Sequence, residues 1–418
     1  MRFECKSNIK IFHRNWYSRD DLARGVSYWA KYLKSKYNVN HGMPLGVAHG
    51  VITFSSICCY LALYKIKMPF TCIDSHNIGN DQTPCQARII LGEPFASIES
   101  KLDIDCTDYF LHGLAMGQHQ EHDDLVFELA NDHLIFSYTS GSTSTKKSVI
   151  TKASQEGAAV QTAIDQYFDC DDVCLFSHEM THRGVHTTAI LPALFSASEI
   201  MFVNAQEWPR VVTQATHCQW FPIMREYFKL TPNIKKITVG GSKIDNETAD
   251  HLLTQAPNAT IYDIYGLTEC LPPLAIRKLT IMDRPNEFKI CRLDLKFADD
   301  GQLTITDNSN TIKTGDHVEF VSDTDFKFIG RVKRLVRVNG HLYNQTDLQI
   351  LLGKNFPIDQ FSLNINQEKL ILQVTGNTDQ YIEWCQKNYV ENFTVTKVDR
   401  VATSGGIKTV NNGEYNVS

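Results

Sequence analysis

Tyr138-Thr139-Ser140-Gly141-Ser142-Thr143-Ser144-Thr145-Lys146-Lys147-Ser148-Val149 is the stretch on which the reading of this chain turns. It follows a short apolar run, Leu134-Ile135-Phe136, that reads as a buried strand. Seven of the nine residues at positions 137–145 are Ser or Thr, one is Gly, and a Lys pair comes next. Hydroxyls and backbone N–H groups in a tight loop can surround phosphate oxygens, and Lys147 can add a point charge on them. A triphosphate suits such a loop. It is not the P-loop of NTPases, which needs G-x-x-x-x-G-K-[ST]. A solvated Ser/Thr linker has the same composition, so the stretch must be read with its surroundings.

Downstream, Ile237-Thr238-Val239-Gly240-Gly241-Ser242-Lys243-Ile244 reads as a strand ending in two glycines, which let a flat ring approach the backbone. Ile261-Tyr262-Asp263-Ile264-Tyr265-Gly266-Leu267-Thr268-Glu269 comes after a helical segment that starts at Asn246. Thr314-Gly315-Asp316 and Phe326-Lys327-Phe328-Ile329-Gly330-Arg331 come later.

In this order, the stretches resemble the adenylate-forming superfamily: acyl- and aryl-CoA synthetases, peptide-synthetase adenylation domains and luciferases. The family's phosphate loop runs Y-T-S-G-[ST]-T-G-x-P-K-G. Tyr138 to Thr143 and Lys147 match it, while Ser144, Lys146 and Ser148 replace Gly, Pro and Gly. Gly240-Gly241-Ser242 is similar to the segment that packs against adenine, and Tyr265 to Glu269 match Y-G-x-T-E in full. The resemblance implies ATP held by Thr139, Ser140, Gly141, Ser142, Thr143 and Lys147 at the phosphates. It implies Gly240, Gly241, Ser242, Asp263, Tyr265 and Gly266 at the adenine, with Tyr265 stacking on the ring and Asp263 accepting from its amino group. Thr268 would donate to a phosphate, and Glu269 with Thr139 would hold Mg²⁺, which prefers hard oxygen ligands. Asp316 and Arg331 would take the ribose. The basic cluster around them, Lys327, Lys333, Arg334 and Arg337, otherwise reads mostly as a charged surface hairpin, with the family's hinge falling on Lys333.

Composition sets the outer limits. A chain of 418 residues accommodates a large domain plus a smaller one. A net charge of −6 argues against a nucleic-acid binder held by global charge. Twelve cysteines lack any C-x-x-C pair, which suggests neither a zinc site nor a disulfide framework, and points to a reducing cytoplasm. Met1-Arg2-Phe3-Glu4-Cys5-Lys6 has no apolar signal core, and the longest apolar run, 57–64, is too short for a membrane span.

Residues 1–130 read as alternating helix and strand. Ser18-Arg19-Asp20-Asp21 starts a helix whose Leu22, Val26, Trp29, Ala30 and Leu33 share one face. Leu45-Gly46-Val47-Ala48 and Phe70-Thr71-Cys72-Ile73 read as strands around an apolar helix at 57–66. Such alternation implies a parallel sheet covered by helices. Residues 75–130 carry no functional signal. Helix 156–167 and strand 173–176 precede His178-Glu179-Met180-Thr181-His182, which satisfies the zinc-protease pattern H-E-x-x-H. That pattern needs both His on one helical face, and here a strand comes directly before it and Gly184 stands two residues after it. The resemblance instead places His182 beside the substrate carboxylate, gating access to it. Trp220-Phe221-Pro222-Ile223-Met224 is similar to one wall of the acyl pocket, although a core strand needs the same apolar character. No Asp suited to an α-ammonium stands out. The tail Thr403-Ser404-Gly405-Gly406-Ile407-Lys408-Thr409 is similar to the family's P-x-T-x-x-G-K, which makes Lys408 the candidate catalytic lysine.

The fold class expected is therefore α/β: a large doubly wound ATP- and acid-binding domain, 1–329, and a small mobile α+β domain, 330–418. The activity implied is AMP-forming activation of a small carboxylic acid, followed by transfer to a thiol. The thiol is coenzyme A or the phosphopantetheine of an acyl or peptidyl carrier protein. A ligase with a non-thiol acceptor, or a non-catalytic nucleotide-binding homologue, would share the same motifs.

Overall fold

The computed structural model describes residues 1–6, 8–13, 15–39, 43–49, 52–73, 85, 87–91, 125–139, 147–177, 183–221, 224, 228–241, 244–299, 302–307, 310–332, 335–338, 341–357, 360–366, 368–388, 390 and 392–398. Contacts divide the chain into two units, Met1–Asp294 and Leu295–Ser418. The boundary expected after residue 329 falls inside the second unit.

The first unit begins with β1 (Arg2–Glu4), β2 (Lys10–His13) and β3 (Asn15–Tyr17), then α1 (Arg19–Lys36). Ser18 and Asp21 start α1 as a reciprocal cap: each side chain accepts the other's backbone N–H, at 3.2 and 2.8 Å. The five apolar residues expected on one face are all buried. β4 (Leu45–His49) leads to α2 (Phe54–Lys65), which is buried almost all round. This helix starts at Phe54 rather than at position 57, because Thr53 and Ser56 form a second such cap. β5 (Phe70–Ile73), β6 (Ala87–Leu91), β7 (Val126–Glu128), β8 (Leu134–Thr139) and β9 (Lys147–Lys152) come next. A first sheet runs β6-β4-β5-β8-β9, parallel up to β8 and antiparallel at β8–β9, where Thr139 faces Lys147.

The chain continues through α3 (Ala153–Tyr167), β10 (Val173–Phe176), a turn at Arg183–Val185, a π-helical turn at His186–Ile190 and α4 (Leu191–Ser196). β11 (Glu199–Phe202), β12 (His217–Trp220), β13 (Lys236–Gly240), α5 (Asn246–Gln255), β14 (Thr260–Tyr265), β15 (Ala275–Leu279) and β16 (Glu287–Ile290) complete the unit. Within it the second sheet runs β16-β15-β14-β13-β12-β10-β11-β2-β3. It is parallel from β14 to β2 and antiparallel at both ends. Helices cover a mainly parallel sheet in the expected α/β manner. β10 pairs with β11 on one side and β12 on the other, so the winding direction reverses there. Open parallel sheets open a crevice for ligands at the carboxyl ends of strands at such a reversal.

The second unit holds three antiparallel strands, β17 (Lys296–Asp299), β18 (Leu303–Asp307) and β19 (Asn310–Lys313), and the hairpin β20 (Asp316–Phe320) with β21 (Asp325–Arg331). β22 (Val336–Val338) and β23 (His341–Tyr343) pair next, and α6 (Gln345–Gly353) comes after them. β24 (Phe361–Asn366) and β25 (Lys369–Val374) form a hairpin, and α7 (Thr378–Lys387) follows. β26 (Phe393–Lys397) joins in parallel beside β25 and had no clear signal in sequence. Among the described residues no helix is long and apolar enough to cross a membrane.

Candidate nucleotide and acid site

β13 and β14 lie side by side in parallel register, with Gly240 opposite Ile264, so the double glycine and the Tyr265-Gly266 corner emerge next to each other. Gly241 has φ 85°, a conformation that favours glycine. Tyr265 is half-buried at the end of β14 and meets Phe288 edge-on at 6.2 Å. Thr268 is half-buried and Glu269 exposed. The edge therefore offers a ring platform, a hydroxyl and a carboxylate in sequence.

Asp263 is buried in the middle of β14, directly across from Arg277 on β15. Arg277 Nε and Nη2 donate to Asp263 Oδ2 at 3.1 and 2.5 Å, and Nη2 also donates to the Ile244 carbonyl at 2.7 Å. The pair thus ties β14 to the loop after Gly241. Motif reading singled out Asp263 as an adenine contact and missed Arg277. The available signal was a cation directly after the apolar run Leu274-Ala275-Ile276.

The segment after Glu269 is fixed from two sides. Arg292 Nη1 donates to the Leu271 carbonyl at 3.1 Å, and the Thr187 hydroxyl donates to the Pro272 carbonyl at 2.6 Å. Leu271 itself has φ 57°, a region that costs a branched residue roughly 1–2 kcal/mol. Those hydrogen bonds and the burial of its side chain hold it there. Pro272 is pressed under Gly266: a Cβ on that glycine would lie 2.2 Å from Pro272 Cβ. Pro272 Cγ also lies 3.3 Å from the Cβ position of Gly184.

Behind the turn at Arg183–Val185 lies a buried polar network that sequence reading did not find. Arg183 pairs with Glu156 of α3, and the Tyr64 hydroxyl of α2 donates to the same carboxylate at 2.6 Å. Burial opposes the charge on Arg183, but the Glu156 carboxylate, the Tyr64 hydroxyl and the Cys72 thiol together more than offset it and push its pKa up. Burial likewise pushes the Glu156 carboxyl up, while Arg183 and the Tyr64 hydroxyl pull it back. His186 lies 3.4 Å from Arg183 Nη1 through Nδ1 and 3.6 Å from Cys72 Sγ through Nε2. The network joins α2, α3 and β5 to the segment leading out of β10.

In the second unit the structure brings Asp316 and Arg331 together. They face each other across β20 and β21, with Arg331 Nε 2.8 Å from Asp316 Oδ1. Arg331 Nη1 donates to the Thr314 carbonyl at 3.0 Å, and the Thr314 hydroxyl accepts the Asp316 N–H at 3.0 Å. Asp316 is buried while the Arg331 side chain is half-exposed, so the pair presents polar groups at a rim.

Other expected site residues are placed only partly or not at all. Thr139 ends β8 and Lys147 starts β9, so backbone pairing brackets the expected phosphate loop. Ser140, Gly141, Ser142, Thr143, Ser242, His182 and Lys408 lie outside the described residues, as does the whole H-E-x-x-H stretch.

A family model described as AMP-binding enzyme matches residues 8–301. A search of curated proteins finds no match. Among solved structures, ATP-bound MatB from Rhodopseudomonas palustris superposes with a TM-score of 0.64 at 13% identity, covering 96% of this chain and 93% of that one. A Mycobacterium tuberculosis fatty acyl CoA synthetase gives 0.65 at 13% identity, covering 94% and 90%. The o-succinylbenzoate CoA synthetase MenE from Bacillus subtilis, in complex with its acyl-adenylate intermediate, gives 0.65 at 12%, covering 94% and 92%. At such identities these likenesses concern the fold.

Proposed function

The chain belongs to the AMP-binding enzyme family, and from that premise we propose that it activates a small carboxylic acid with ATP, forming an acyl-adenylate and pyrophosphate, and passes the acyl group to a thiol. The observation that carries this reading is the corner after β14. Tyr265, Gly266, Thr268 and Glu269 stand beside Gly240 and Gly241 at the carboxyl edge of a parallel sheet. Ligands of such sheets bind at that edge. Two neighbours support it, one solved with ATP and one with an acyl-adenylate.

In this reading the adenine lies against Gly240, Gly241 and Tyr265. Asp263, oriented by Arg277, faces its amino group, and Asp316 with Arg331 takes the ribose. The residues present fit a divalent cation: Glu269 is an exposed carboxylate, and a threonine, Thr139, ends the strand before the Ser/Thr loop. Glu269 and Thr139 would hold Mg²⁺ there, which would supply positive charge against the phosphates. Thr268 and the loop hydroxyls donate to phosphate oxygens, and His182 borders the carboxylate. The carboxylate oxygen attacks the α-phosphorus and pyrophosphate leaves. Lys408 offsets repulsion between the two anions as they meet. A rearrangement about Lys333 then withdraws Lys408 and admits the thiol of coenzyme A or of a carrier-protein phosphopantetheine. The thiol attacks the acyl carbon and AMP leaves.

ATP–pyrophosphate exchange over a panel of acids tests the reading. Glu269→Gln should abolish Mg²⁺-dependent exchange and weaken ATP binding far less, because a neutral amide is a poor ligand for a hard dication. Undiminished exchange in that variant removes Glu269 from the metal role. Exchange with no acid in the wild-type protein removes the activity itself.

A further inference from the structure

We propose that Thr187 is a positioning residue for the nucleotide corner: its hydroxyl holds Pro272 against Gly266 and so fixes the backbone that carries Thr268 and Glu269. The inference rests on the nucleotide-binding reading of that corner and adds a residue that no motif marks.

The corner is a closed loop. The Leu274 N–H donates to the Tyr265 carbonyl at 2.9 Å, so Gly266, Thr268 and Glu269 lie on a segment tied at both ends. Pro272, on the same segment, presses against Gly266: its Cβ lies 2.2 Å and its Cα 3.0 Å from where a Cβ on that glycine would stand. The position of Pro272 therefore sets the position of Gly266. Pro272 and Pro273 have no backbone N–H, so this stretch can be hydrogen-bonded only through its carbonyls. Arg292, just past β16, holds the Leu271 carbonyl at 3.1 Å. Thr187 holds the Pro272 carbonyl at 2.6 Å from a different element, the π-helical turn at His186–Ile190.

Hydrogen-bond accounting commits the Thr187 proton to that contact. A hydroxyl has one proton to give. The Gly184 carbonyl, 3.4 Å from Thr187 Oγ1, already accepts the Thr188 hydroxyl at 2.7 Å, which leaves the Thr187 proton to Pro272. Thr187 is 0% exposed, where a carbonyl that loses its donor is costly. The segment that carries Thr187 is itself anchored. Arg183, four residues earlier, pairs with Glu156, and the Tyr167 hydroxyl donates to the Thr188 carbonyl at 3.0 Å. π-helical turns are rare and recur at functional sites. Through one hydrogen bond, a fixed framework behind the sheet reaches the corner.

The test is calorimetric binding of ATP with Mg²⁺, which needs no knowledge of the acid. Thr187→Val keeps the shape and removes the donor, and should weaken ATP about tenfold. Thr187→Ser, which keeps the hydroxyl, should bind close to wild type. Gly266→Ala should weaken ATP because its methyl meets a held Pro272. With the hold released the proline can yield, so Thr187→Val should add little to the loss in Gly266→Ala. Independent residues instead give losses that multiply. Wild-type affinity in folded Thr187→Val, an equal loss in Thr187→Ser, or multiplying losses in the double variant overturns the inference and leaves nucleotide binding standing. If Thr187→Val does not fold, as judged by its melting transition, Gly184→Ala decides. Its methyl lies 3.3 Å from Pro272 Cγ and pushes the held proline, so ATP should weaken, and wild-type affinity there overturns the inference. No ATP binding by the wild-type protein overturns the reading on which the inference rests.

Discussion

Arg183→Met tests the buried network behind the site and needs no knowledge of the substrate. Arg183 and Glu156 are 4% and 0% exposed, so neither charge is shared with solvent. Removing one member of such a pair costs about 3–5 kcal/mol, because the other charge stays buried. Glu156 would keep only the Tyr64 hydroxyl at 2.6 Å. Burial already pushes its carboxyl up, with Arg183 the larger restraint, so in the variant the carboxyl must rise further. The sign is then set. A carboxyl whose folded pKa exceeds its unfolded value destabilises nothing below the unfolded value. It destabilises increasingly as pH climbs to the folded value. Urea denaturation at about pH 8 should show nearly the whole loss, and at about pH 5 only a minor part of it. Adding Glu156→Gln to the variant should recover stability at the higher pH. A loss below about 1 kcal/mol, or one equal at both pH values, refutes a buried ion pair as the restraint on this turn.

Three further outcomes are expected. Gly266→Ala puts a methyl group 2.2 Å from Pro272 Cβ and 3.0 Å from its Cα; with Pro272 anchored, the corner must shift, and exchange should fall about a hundredfold. Wild-type exchange in this variant would show that the corner is not part of the site. Asp316→Ala should act mainly on KM for ATP, since ribose contacts are made in ground and transition states alike; a fall in kcat alone at saturating ATP would contradict that role. His133 donates from Nε2 to the Met68 carbonyl at 2.9 Å, and burial lowers its pKa from 6.5 to about 4. The unfolded chain then takes up the proton first, so stability should decline between those values by about 3 kcal/mol. Acid titration of the melting temperature in His133→Gln should be flatter, and an unchanged slope would assign the acid sensitivity elsewhere.

What the sequence determined is local. The periodicity of Leu22, Val26, Trp29, Ala30 and Leu33 requires only residues within a turn or two of each other, and α1 buries all five. Tyr265 to Glu269 and Gly240-Gly241 announce themselves because a tight backbone path limits which residues fit there. Thr314-Gly315-Asp316 does so too, with Gly315 at φ 73°. Caps are less visible: Thr53 with Ser56 set the start of α2 ahead of its apolar signal. The pairings that shape the site were hidden, because they join residues far apart along the chain. Arg277 meets Asp263 only because β15 turns back antiparallel on β14 in one register, and a one-residue slip would point Arg277 to the other face. Arg183, Glu156 and Tyr64 converge from three separate elements. Pro272 reaches Gly266 because Thr187 and Arg292 pull its segment back under the corner. Motifs mark where a nucleotide can be held, since backbone path and residue type are set within a few positions. Sheet register and helix packing decide which charges are neutralised and how closely the segments approach, since only the folded chain brings those groups within reach.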